Sequence, residues 1–164
     1  MGHPRCTARD GYFSSTGIGT TGYREATIKL FVVDENFLED AVPVSIFHIG
    51  LPLNHPSIPV DGRAELRERL DGLRQRMRDA GYHYDIVHAS PEDGIEGFKD
   101  LLKTQPCDGV LIGGGVVGNP EMTYFLEQIV NTVREAAPNA KIMFFSHSVD
   151  VRETVERWFP PEST

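Results

Sequence analysis

From Val42 onward the chain repeats one unit: a short apolar run, then a longer stretch whose apolar residues recur every three or four positions. Val42–Leu51 is an apolar run of the kind found in strands buried on both faces. Arg63–Ala80 follows, with Leu66, Leu70, Leu73, Met77 and Ala80 on one helical stripe and Gly81 as its stop. Tyr84–His88 reads as a second strand. Ser90 then serves as N-cap, Pro91 as first helical residue, and Ile95, Phe98, Leu101 and Leu102 as the inward face. Gly109–Ile112 is a third strand, and Asn119-Pro120-Glu121 opens a helix carrying Met122, Phe125, Leu126, Ile129, Val130 and Val133. Lys141–Phe145 is the fourth strand, with a last helix placing Val151, Val155, Trp158 and Phe159 on one face.

Such alternation demands right-handed crossovers between parallel strands, with helices on both sides of the sheet. The expected fold is α/β and three-layered, with a mainly parallel sheet of four to five strands in the order 2-1-3-4. The expected division is an N-terminal arm over 1–40 with an edge strand at 27–33, the α/β domain over 41–159, and a tail over 160–164. In this order a ligand crevice lies outside the carboxyl ends of strands one and three. Two loops border it, Gly50–Asp61 and Gly113–Asn119.

Composition narrows the partners. The 164 residues are 40% hydrophobic and 24% charged, and allow one domain with a real core. The formal net charge of −8 argues against nucleic acid or an anionic membrane as partner. Arginines do cluster at 63, 67, 69, 74, 76 and 78, but alternate with acidic residues, which reads as a solvated helix face, with an anion-binding patch as the alternative. The two cysteines, Cys6 and Cys107, have no zinc-binding spacing, and the N-terminus lacks the apolar core of a signal peptide. A reducing, cytoplasmic setting is therefore expected. Residues 1–40 carry apolar side chains without a core of their own, so a homodimer is expected too.

The crevice collects the chemistry. Gly113-Gly114-Gly115-Val116-Val117-Gly118-Asn119 follows a strand and precedes a helix. Glycines there allow positive φ or close backbone approach. Asn119 is a capping residue, Glu121 lies in the first turn, and the helix start favours an anion. Neither a dinucleotide fingerprint nor a P-loop is present, and no motif names a cofactor. His48 sits inside the first apolar run, where a hydrogen-bonded core histidine is the commoner outcome. His55 lies in a long, proline-punctuated loop, and His147 stands between Ser146 and Ser148. His48, His55 and His147 are the proton-transfer candidates. Gly113, Gly114, Gly115, Asn119, Glu121 and Ser146 are the ligand-binding ones. No histidine spacing supports a metal.

The alternating pattern over 42–159 resembles flavodoxin-like domains and response-regulator receivers in layout. A receiver implies an acidic pair after strand one and an aspartate ending strand three. Those places here read His48-Ile49-Gly50 and Gly113-Gly114-Gly115, which argues against phospho-acceptor chemistry. Tyr12–Thr20, rich in Ser, Thr and Gly, looks like a flavodoxin phosphate loop, and that resemblance implies FMN. Cobalamin-binding domains share the layout, but their D-x-H-x-x-G signature is absent after strand one. The leading expectation is an enzyme acting on a small anionic metabolite. A non-catalytic anion-binding regulatory module, or an oligomeric partner-binding domain, is the alternative; an FMN protein is a further one.

Overall fold

The computed structural model describes residues 43–161. The proposed arm, its edge strand at 27–33, the FMN-like loop at Tyr12–Thr20, Cys6 and the basis for a homodimer lie outside the described residues. Within them the chain runs β1 (Ser45–Gly50), α1 (Arg63–Asp79), β2 (His83–His88), α2 (Glu96–Thr104), β3 (Gly109–Ile112), α3 (Gly114–Val117), α4 (Thr123–Ala136), β4 (Lys141–Phe144) and α5 (Val151–Glu156). Single 3-10 turns at Val60–Gly62 and Pro120–Met122 lead into α1 and α4. The four strands form one parallel sheet in the order β2-β1-β3-β4, so the expected α/β topology is observed. Among the described residues no helix is long and apolar enough to cross a membrane.

Strand side chains alternate between two faces, and each face meets its own helices. Phe47, Ile49, Val110 and Ile112 pack with Phe98 and Leu102 of α2 and with Phe125, Ile129 and Val133 of α4. Ile46, Tyr84, Leu111 and Met143 pack on the other face with Leu73 and Met77 of α1 and Val151 and Val155 of α5. By the same alternation His48, two residues beyond Ile46, belongs to the α1/α5 face. In parallel register it stands opposite Ile86 on one side and Leu111 on the other.

Helix ends explain most boundaries. At the end of α1, Tyr82 N–H bonds to Met77 O at 3.2 Å and Gly81 N–H to Arg78 O at 2.9 Å. Gly81 has φ +91°, completing a Schellman cap whose apolar contact joins Tyr82 to Met77. Open space surrounds a Cβ at Gly81, so Gly81→Ala pays only for the left-handed backbone. A loss of about 1 kcal/mol in urea denaturation is expected.

Two expectations need correction. The second helix does not begin at Pro91. Ser90 Oγ accepts Asp93 N–H at 3.1 Å and donates to the Asp93 carboxylate at 2.9 Å. Gly94, at φ +78°, then closes a separate turn through its N–H to Ser90 O, and α2 starts at Glu96. Trp158 does not join the inward face of the last helix. Its rings are half exposed, while Val151 and Val155 are buried.

Candidate functional site

At the carboxyl ends of the strands, on the α1/α5 face, lies an open cavity of about 640 Å³. Three loops wall it: the ones after β1, β3 and β4. His48, Gly113, Gly114, Gly115, Ser146 and His147 all line it, so most of the sequence candidates meet there. Its apolar wall comes from Ile58, Leu66, Leu70 and Phe145. Arg69, Arg76 and Asp150 supply the charge.

His48 is 5% exposed, with Tyr84 fully buried beside it. Tyr84 Oη lies 2.8 Å from His48 Nδ1, and the rings meet edge to face with centroids 6.1 Å apart. Burial, then the charge of nearby His88, pushes the His48 pKa down to about 4. Burial also raises the Tyr84 phenol well above its ordinary value, so its hydroxyl keeps its proton. His48 is therefore neutral at neutral pH, and with so low a pKa and Nδ1 already held by Tyr84 it is a weak base for the role expected of it.

Of the two roles expected for the glycines of this turn, positive φ is absent and close approach is present. None of its glycines has positive φ. Gly113 is extended, at φ −69° and ψ 158°, and Gly114–Val117 form one helical turn. What the turn requires is closeness. A Cβ on Gly113 would lie 3.0 Å from His48 Nε2 and 3.1 Å from Ile49 O, and one on Gly114 would lie 2.7 Å from the Phe145 ring. Gly118 N–H bonds to Gly114 O at 2.9 Å and Val117 N–H to Gly113 O at 3.1 Å, so the turn satisfies part of its own backbone.

His147 is exposed on the rim and stacks edge to face on Phe145, with centroids 5.0 Å apart. Beside it Ser146 Oγ and Ser148 Oγ are 2.8 Å apart. The remaining candidates lie away from the cavity wall. Asn119 Oδ1 accepts Glu121 N–H at 3.0 Å, a cap for the turn leading into α4, and Glu121 is exposed. His55 is buried at the other side of its loop. Its Nδ1 accepts Ser57 N–H at 3.2 Å, and its Nε2 stands 3.4 Å from Glu92 Oε2 without hydrogen-bond alignment. His55 thereby ties the loop after β1 to the loop after β2.

Three residues at this site are not among the sequence candidates: Tyr84, which the sequence places only in a strand, and Arg69 and Arg76, which it reads foremost as a solvated helix face. The arginines stand seven positions apart, two helical turns, on the flank of the Leu66–Leu70–Leu73 stripe. On the other flank of the stripe, Arg74 pairs with Asp71 at 3.1 Å, and Arg78 pairs with Asp85. Arg69 and Arg76 form no ion pair among the described residues and face the cavity instead. Spacing on the helix was the available signal. Tyr84 left none, because its role depends on strand register. Among the described residues no cluster of His, Cys, Asp or Glu is placed to hold a metal ion. No protein family, curated protein or solved structure matches the chain.

Proposed function

We propose that this cavity binds a small anionic metabolite with an apolar body, and that the protein is an enzyme acting on it with His147 as proton-transfer group. The observation that carries the reading is the pairing of Arg69 and Arg76 with an apolar wall in one cavity of about 640 Å³. That volume is in the range of small-molecule sites. Two guanidinium groups without described carboxylate partners attract an anion, and the half-buried leucines accept a hydrocarbon part. Asp150 on the same wall disfavours a ligand with a second negative charge close to it. His147, exposed and on the cavity rim, is the candidate imidazole that solvent and a bound ligand can both reach.

A thermal-shift screen of carboxylates and phosphate esters tests the binding part. A ligand present at a hundred times its Kd stabilises by about 2.7 kcal/mol, a shift well above noise. Joint replacement Arg69→Ala and Arg76→Ala is expected to weaken the best anion about tenfold or more, and added salt to weaken it further. A flat screen, or equal binding by the double variant, refutes the reading. Mass spectrometry of the bound compound after incubation then separates enzyme from sensor. Consumption by the wild type and not by His147→Ala marks an enzyme; binding without consumption marks a regulatory module.

A further inference from the structure

We propose that His48 is a fixed-tautomer donor, its Nε2–H aimed into the cavity to recognise an acceptor oxygen of an anionic group, with Tyr84 as the positioning residue that sets the tautomer. This rests on the anion-binding reading and names how the anion is read.

The tautomer follows from hydrogen-bond accounting. Tyr84 is fully buried, and its hydroxyl has His48 Nδ1 as its partner at 2.8 Å. A buried O–H without an acceptor is costly, so the hydroxyl donates and Nδ1 accepts. In a neutral imidazole the single proton then sits on Nε2. That nitrogen has no acceptor among the described residues, yet it is not sealed off: His48 lines the cavity. Gly113 is what leaves it open, since a Cβ there would come within 3.0 Å of Nε2.

The consequence is selectivity. The imidazole is buried, the neighbouring His88 opposes its protonation, and its bare nitrogen is already occupied by Tyr84. It can offer one N–H and nothing else. An acceptor-only oxygen, on a carboxylate or a phosphate ester, completes it. An ammonium group in the same place would set donor against donor. Arg69 and Arg76 supply the charge attraction, and His48 supplies the direction.

The test uses the full chain with nitrogen-15-labelled histidine, and benzoate, phenyl phosphate and benzylamine as probes sharing one apolar ring. Long-range proton–nitrogen spectra of the free protein at pH 7 are expected to show His48 with Nε2 protonated and Nδ1 bare. Tyr84→Phe is expected to return a mixture of tautomers. Benzoate or phenyl phosphate should move the His48 Nε2 signal, the responsive one identifying the anion class, and benzylamine should leave it in place. His48→Gln, which retains an N–H donor, should bind the responsive probe within about threefold of wild type, and His48→Leu about tenfold or more weakly. An Nδ1–H tautomer, or an unchanged tautomer in Tyr84→Phe, overturns the inference whatever binds. If an anion moves other cavity signals but not that of His48, the inference falls and the anion reading stands. If neither anion moves any cavity signal, the inference falls; if every anion in the thermal screen is inert as well, the anion reading falls with it.

Discussion

Acidification from pH 7 to pH 4 is expected to remove about 3 kcal/mol of stability through His48 alone. Its pKa is pushed from 6.5 down to about 4, by burial first and His88 second. In the unfolded chain the imidazole takes up its proton near the ordinary value; in the folded protein it resists until about pH 4. Between those values the unfolded state binds more protons, so stability falls with falling pH. The contribution is complete above about 6.5, declines through the window, and levels off below 4. Tyr84 and His88 face the ring from β2, Arg69 and Arg76 stand across the cavity on α1, and His147 and Asp150 stand beyond β4. Against a total near 10 kcal/mol for a domain of this kind, the loss is large. Urea denaturation of wild type and His48→Gln at several pH values isolates it, because the other titrating groups are common to both. Parallel stability curves from pH 6.5 to 4.5 would contradict it.

Gly113→Val is expected to cost about 2 to 3 kcal/mol and to abolish anion binding together. The backbone there is extended and suits any residue, so the cost is steric and not conformational. Neither neighbour of the added Cβ can yield easily. Ile49 O belongs to β1, and Gly113 N–H already bonds to it at 2.8 Å; His48 Nε2 belongs to a ring held by Tyr84. The new side chain would displace the strand end or the imidazole and cover Nε2 in either case. Gly115→Ala is the control two positions away: its Cβ meets Leu51 at 3.4 Å, ordinary contact, and stability should change by less than about 0.5 kcal/mol. Chemical denaturation of the two variants, with benzoate binding measured alongside, checks both statements. Equal stability of the pair would show that closeness at Gly113 is not what the glycine serves.

Much of the fold was legible because its signals are local. The apolar periods of Arg63–Asp79 and Thr123–Ala136, and the short runs at Ser45–Gly50 and Gly109–Ile112, depend on neighbours a few residues away. Chirality of the crossovers then leaves few strand orders, and 2-1-3-4 places the crevice. Where local rules compete, sequence pattern alone misplaces the boundary. Ser90 and Pro91 are a good helix start, but Gly94 closes the turn by going left-handed before α2 begins.

The glycine turn shows where sequence stops. A run of Gly113, Gly114 and Gly115 after a strand marks a place where a backbone needs room, and that much was determined by sequence alone. Whether the backbone there takes positive φ or gives room to neighbouring side chains was decided by register: β1 beside β3 brings His48 Nε2 and Ile49 O against Gly113, and the turn after β4 brings Phe145 against Gly114. Tyr84 and His48 are 36 residues apart and meet because their strands are adjacent. Arg69 and Arg76 differ from Arg74 and Arg78 only in the side of α1 they occupy, and packing of that helix on the sheet decides which side faces the cavity. Periodicity is a property of neighbours along the chain. The state of an imidazole is a property of neighbours across it, through burial and a hydrogen bond that no local pattern encodes.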